Sequence, residues 1–276
     1  MFGKKEFPNL KVMVTRLKRY FKFLVLLTKL NYQKTLEYRL NFWAGILGPV
    51  FYTTGYLIYL NTLLSRTPTI NGWSFDHMVL LFCCGQLFYY VAWIIYRGSL
   101  ETFAYTVRDG SFDFALKTPI NSRFNVSFRE QRLNTVIPLL LNLGLFIYSL
   151  RNLAILPINI FLFLILFVCG LFIFYNFVFT LISFTFWVID SDDLLWFGDD
   201  LVRYGAYPLE IYPKIFSLLL ITALPVSLVI YVPATAIIGI LNWKLGLMSV
   251  VMVFVSWFVS QKIWQAGLRR YSSASS

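Results

Sequence analysis

Residues 155–189 run for about 35 positions without one charged side chain. A stretch that apolar and that long has no place on a water-soluble surface, and at 1.5 Å per helical residue it exceeds the ~30 Å hydrocarbon core of a bilayer. The rest of the chain agrees. Only 13% of its 276 residues are charged and 58% are hydrophobic, with a mean hydropathy of +0.68. A soluble domain carries about 25% charged residues, so the apolar excess must face lipid. The expected fold is an all-α integral membrane protein.

Further apolar runs mark the expected crossings at about 42–64, 75–96, 133–150 and 245–264. The run 155–189 is too long for one simple crossing. Beyond it, "DSDDLLWFGDDLVRYGAYPLEIYP" precedes a second apolar stretch, 215–241, that contains Pro225 and Pro233. Two readings fit. In one, 187–214 is a cytoplasmic loop and 215–241 a span; in the other, a span reaches about Gly205 and 208–240 folds back as a re-entrant helical pair. Both give six transmembrane helices, and the aspartates of 190–200 favour the first on composition.

Residues 1–40 hold a basic leader in which Leu10, Val14, Leu17, Phe21 and Leu24 recur at helical spacing while Lys11, Lys18 and Lys22 fall off that stripe. The pattern predicts an amphipathic interfacial helix, leaving 41–276 as a six-span membrane domain with a cytoplasmic segment at 97–132. With the N-terminus inside, only Arg66, Arg151 and Lys244 of the 24 Lys and Arg residues are left outside, so both termini are expected in the cytoplasm. Membrane orientation therefore accounts for the net charge of +11, and no nucleic-acid partner is expected.

Catalytic signals are absent. No phosphate-cradling loop, HExxH or GxSxG occurs, and His77 is the sole histidine. Cys83, Cys84 and Cys169 lie in apolar runs and read as buried thiols. Asp190, Asp192, Asp193, Asp199 and Asp200 lack the glycine and glutamate positions of a calcium loop and read as interfacial carboxylates or helix caps. No catalytic residue, metal site or chain-bound cofactor is expected, and energy from ATP would have to enter through another subunit. No cleavable signal peptide is expected either.

The polar stretch "RDGSFDFALKTP" at 108–119 is then the informative one. Asp109-Gly110 breaks the helix that continues from the second run. Ser111 can cap a new helix, "FDFALK", which Pro119 ends. One and a half turns need a docking surface, and Phe112, Ala115 and Leu116 offer one. The residues alone allow two surfaces: a groove in a cytosolic ATPase, or the underside of the chain's own bundle.

The order Gly110, Asp113, Leu116, Lys117, Pro119 resembles the first cytoplasmic loop motif of the type-2 ABC exporter permeases, closest to a six-span bacterial subfamily. "YPLEIYP" at 207–213 followed by Pro225 and Pro233, and "GLRRYSSAS" at 267–275, agree with it. The resemblance implies a permease of the bacterial inner membrane that dimerises with itself or a sister chain and binds two cytosolic ATPase subunits holding ATP and Mg. It implies a coupling helix carrying Asp109, Gly110, Phe112, Asp113, Leu116, Lys117 and Pro119, and a connecting helix bearing Leu10, Val14, Leu17 and Phe21. It also implies a re-entrant hairpin around Tyr207, Pro208, Tyr212, Pro213, Pro225 and Pro233, which favours the second reading above. The rivals are a secondary transporter or channel, and a membrane-embedded lipid-modifying enzyme.

Overall fold

The computed structural model describes residues 10–37, 39–67, 69–153, 155–188 and 192–271. These residues are helical apart from turns and one isolated bridge between Ile70 and Trp73. Helix α1 (Leu10–Glu37) is followed by α2 (Arg39–Leu64), which contains Pro49. Ser74 then caps α3 (Phe75–Ala92) by accepting from the His77 backbone N–H. A π-turn, Trp93–Arg97, carries α3 into α4 (Gly98–Glu101) and α5 (Phe103–Arg108), making a near-continuous rod of 34 residues.

Gly110 stops that rod at φ 76°, a left-handed backbone that costs a residue without Cβ little. Helix α6 (Phe112–Lys117) follows, and Thr118 turns extended at ψ 142° because Pro119 excludes αR before it. Helix α7 (Ser122–Phe128) starts on Asn121, whose side chain accepts from the Phe124 N–H. A short 3-10 turn leads to α8 (Val136–Ser149), bent 50° from α7.

The long apolar run forms one helix rather than two. Helix α9 (Pro157–Ser183) begins with proline in its first turn, where the missing N–H is not needed, and continues through a 3-10 turn to Phe186. Its 30 residues reach about 45 Å, a length that tilt accommodates in a bilayer. Helix α10 (Asp192–Tyr204) packs back along α9 through Leu195, Gly198 and Val202.

The stretch 215–241 is not one helix. It divides into α11 (Lys214–Thr222) and α12 (Tyr231–Ile238), of 9 and 8 residues, each far short of the ~20 residues that cross a bilayer. Pro225 lies in the turns between them. Helix α13 (Trp243–Arg270) runs back along α9.

Contacts sort the chain between two ends of the bundle. At one, Phe103, Phe112, Phe186, Trp264 and Tyr271 pack ring against ring. At the other, Asn71 and Trp73 meet Glu210, and Asn159 meets Ile237. Residues 186 and 209 thus lie at opposite ends, with α10 packed along α9 between them. Three helices of the described chain are long and apolar enough to cross a membrane: Phe75–Arg108, Pro157–Phe186 and Trp243–Arg270. The bent α7–α8 pair makes a fourth if it is one span.

Candidate functional site

Helix α6 is held by one face and free on the other. Phe112 is 1% exposed and Ala115 is buried, whereas Phe114 is 69% and Leu116 42% exposed. Alternation at one helical turn produces this: residues 112 and 115 share a face, and 114 points away. The Phe112 ring sits 5.1 Å from Tyr271, 5.3 Å from Phe103, 5.8 Å from Phe186 and 6.0 Å from Trp264. Phe112 therefore anchors α6 to the chain's own bundle. Of the two surfaces the sequence allowed, the bundle takes this face, and Phe114 and Leu116 are left pointing outward.

The ends of α6 are fixed by hydrogen bonds. Ser111 makes no side-chain cap; instead its backbone N–H donates to Asp109 Oδ1 at 2.8 Å. Hydrogen bonding from Ser111, side chain first, holds the Asp109 carboxyl below the usual carboxylate range. Tyr271 Oη donates to Asp113 Oδ1 at 3.0 Å. Thr118 Oγ1 donates to Ala115 O at 2.7 Å and accepts from Asn125 Nδ2 at 2.9 Å, linking α6 to α7. Lys117 lies 6.0 Å over the Phe114 ring, on the outward face.

Behind α6, Arg123 of α7 reaches two long helices. It donates to Tyr175 Oη at 3.1 Å, Asn176 Oδ1 at 2.6 Å, Ser260 Oγ at 2.9 Å and Gln261 Oε1 at 2.9 Å, and its guanidinium lies 4.3 Å from the Phe179 ring centre. Movement of α7 is thereby tied to α9 and α13. Helix α1 fastens to the same region. The Asn121 N–H donates to Tyr20 Oη at 3.2 Å, Tyr20 meets Phe124 edge to face at 4.7 Å, and Asn31 Nδ2 donates to Arg129 O at 3.1 Å. Of the expected stripe on α1, Phe21 is exposed; the side chains of Leu10, Val14 and Leu17 lie outside the described residues.

At the opposite end, "YPLEIYP" forms a clamp. Pro208 precedes a 3-10 turn, Leu209–Ile211, and Pro213 precedes α11. Tyr212 Oη donates to Tyr204 O at 2.9 Å. Glu210 accepts from Tyr231 Oη at 2.6 Å and Trp73 Nε1 at 3.3 Å, joining the start of α12 to the loop before α3. Tyr207 faces a cavity, and Pro233 lies in the first turn of α12. Two glycines admit the turns between α11 and α12. A Cβ on Gly170 would stand 2.6 Å from Val229 O, and one on Gly205 would run into Val226 O.

The cavity has a volume of about 350 Å³ and opens between α2, α3, α10 and the turn at Ile230. Tyr52, Tyr56, Gln86, Tyr89, Trp93 and Tyr207 stand in its wall, with Asp199 and Arg203 at one edge. Asp199 is not a solvated carboxylate. It accepts two bonds from Arg97 Nε, at 2.9 and 3.1 Å, and one from Nη2 at 2.6 Å, the two side chains being 1% and 9% exposed. Asp200 pairs in the open with Arg203, and Asp193 is exposed; Asp190 and the Asp192 side chain lie outside the described residues. Composition gave no warning of Arg97, Arg123 or Glu210. Asp199 left a trace, since it follows Leu195 by four residues and shares its buried face.

Long apolar helices packed as a bundle define an integral membrane protein of the all-α class. The particular family follows from comparison with known proteins: residues 50–275 match the family model described as ABC-2 family transporter protein, and the chain belongs to that family. No curated protein matches it. The chain is thus an ABC transporter permease, a membrane component whose family works with an ATP-binding partner and is generally non-catalytic.

Proposed function

We propose that this chain lines the translocation pathway of an ATP-driven exporter, as one half of a homodimer or sister heterodimer driven by two cytosolic ATP-binding subunits. One observation carries the proposal: α6 turns Phe114 and Leu116 outward at the end of the bundle while Phe112 and Ala115 root it between the ends of α9 and α13. Closure of the partner around ATP and Mg would press on that outward face. The push passes through Asp113 to Tyr271 and through Arg123 to α9 and α13. Asp109, Gly110, Leu116, Lys117 and Pro119 shape and bound the coupling helix, and this chain holds no nucleotide itself.

The same reading gives six crossings. The chain travels between the two ends through α2, the α3–α5 rod, α8, α9, the 187–209 segment and α13. Helices α11 and α12, with Tyr207, Pro208, Tyr212, Pro213, Pro225 and Pro233, then form a re-entrant hairpin at the outer face. Helix α1 lies at the inner surface of a bacterial plasma membrane, with both termini cytoplasmic, presenting Lys18, Arg19 and Lys22 to headgroups.

Co-purification with the cognate ATP-binding subunit tests this. Phe114→Asp should lower the recovered subunit by at least about tenfold, the loss of roughly 1.4 kcal/mol of association free energy, with insertion and yield unchanged. Undiminished association and transport in both Phe114→Asp and Leu116→Asp would overturn the assignment of α6.

A further inference from the structure

The charges at the cavity edge are already matched, although Arg97 Nη1 is buried without a hydrogen-bond partner. Arg97 and Asp199 neutralise one another through a buried bidentate pair, and Arg203 leans on Asp200 at 3.3 Å. A ligand carrying net charge would meet no unmatched opposite charge in this wall and would have to shed its hydration on entering. The uncharged polar groups are in the opposite condition. The Gln86 amide and the hydroxyls of Tyr52, Tyr56, Tyr89 and Tyr207 make no hydrogen bond to any other described residue.

Around those groups the wall is aromatic. Tyr56 stacks on Phe82 at 4.0 Å, and Tyr89 lies 5.7 Å from Trp93, so aromatic rings and phenol and amide groups share the lining. A volume of about 350 Å³ falls in the range of small-molecule sites, which are mostly apolar with a few placed polar groups. Ring faces favour a flat ring system by offset stacking, and unpaired phenol and amide groups favour a ligand with hydroxyl or carbonyl groups of its own.

We infer that this cavity binds a neutral, flat, aromatic amphiphile bearing hydroxyl or carbonyl groups. Gln86 and Tyr207 hydrogen-bond its polar edge, and Tyr52, Tyr56 and Tyr89 pack against its rings. That such a molecule is exported cargo rests on the permease reading; that it binds does not.

The test uses the full chain in lipid nanodiscs, carrying Cys169→Ser because that free thiol is only half-buried, with thermal unfolding followed by a thiol-reactive dye that reaches the buried Cys83 and Cys84 only on unfolding. Three probes share one ring system and differ in charge: pyrenemethanol, pyrenebutyrate and pyrenylmethyl-trimethylammonium. Saturating pyrenemethanol should raise the midpoint by roughly 5 °C, and either charged probe by less than half as much. Gln86→Leu and Tyr207→Phe should each weaken pyrenemethanol binding about five- to tenfold, as loss of one hydrogen bond does, with the unliganded midpoint kept. Tyr148→Phe, on the exposed side of α8, should leave it unchanged.

Absence of a shift with pyrenemethanol, a larger shift with either charged probe, or a full shift in both cavity variants would overturn the inference. The co-purification experiment separates the two claims. Undiminished ATPase association and transport in Phe114→Asp and Leu116→Asp, with an intact pyrenemethanol shift in the native chain, sinks the exporter reading alone. Association lost in those variants, with no shift in the native chain, sinks the cavity alone.

Discussion

Tyr271 donates its hydroxyl to Asp113 at 3.0 Å, so the residue just beyond the last long helix holds the six-residue α6 in place. The two segments are 158 residues apart in sequence. Tyr271→Phe keeps the ring among Phe112 and Phe186 and removes only the bond, at a cost of about 1 kcal/mol. Burial foremost, and then the bond to Asp113, pushes the Tyr271 phenol up from 10.0 to about 12. Because the folded value is raised, the stabilisation is complete below pH ~10 and is lost as pH climbs to about 12. Tyrosinate absorbance in the native chain and in Tyr271→Phe should differ by one late-titrating phenol.

Phe112 and Phe114 are two residues apart and should fail in different ways. Phe112→Ala removes the ring that joins Phe103, Phe186, Trp264 and Tyr271, and should cost about 3–5 kcal/mol. It should appear as a lowered unfolding midpoint. Phe114→Ala should leave that midpoint within about 0.5 kcal/mol of the native chain, as an exposed position does.

Gly205 admits backbone where any side chain would collide with Val226 O. Gly205→Ala should destabilise by about 1–3 kcal/mol, since a carbonyl cannot swing aside as a side chain can. Gly144, within α8, has nothing within 4 Å of the place a methyl group would take, so Gly144→Ala should be neutral or stabilising by up to about 1 kcal/mol. Thermal midpoints of the two variants, measured side by side, check the contrast.

The Arg97–Asp199 pair should behave as a buried ion pair. Asp199→Leu alone strands a guanidinium and should cost about 3–5 kcal/mol, while Arg97→Met with Asp199→Leu should recover most of that loss. Asp200→Asn, on the exposed neighbouring pair, should change stability by less than about 1 kcal/mol. A double-mutant cycle on unfolding midpoints reads the coupling directly.

Hydropathy, glycine and proline decided a great deal unaided. Apolar runs placed the long helices because hydrocarbon demands that each backbone group be satisfied within its own segment. Asp109-Gly110 and Pro119 delimited α6 to the residue because both act on local backbone geometry, whatever surrounds them. Tertiary structure alone decided which way α6 faces. Phe112, Phe114 and Leu116 are equally apolar in sequence, and burial belongs to the one that meets rings from residues 103, 186, 264 and 271. Likewise both late apolar stretches are long, yet 157–186 is a single rod and 214–238 is two short helices around a turn. Pro225 marks that break in the sequence, and only the packed chain shows that Gly170 and Gly205 let its backbone approach. Asp199 read as an interfacial carboxylate or helix cap because local composition counts charges, whereas its burial goes with its pairing to Arg97, 102 residues away. Pairing across such distances is a property of the packed chain, and no local pattern encodes it.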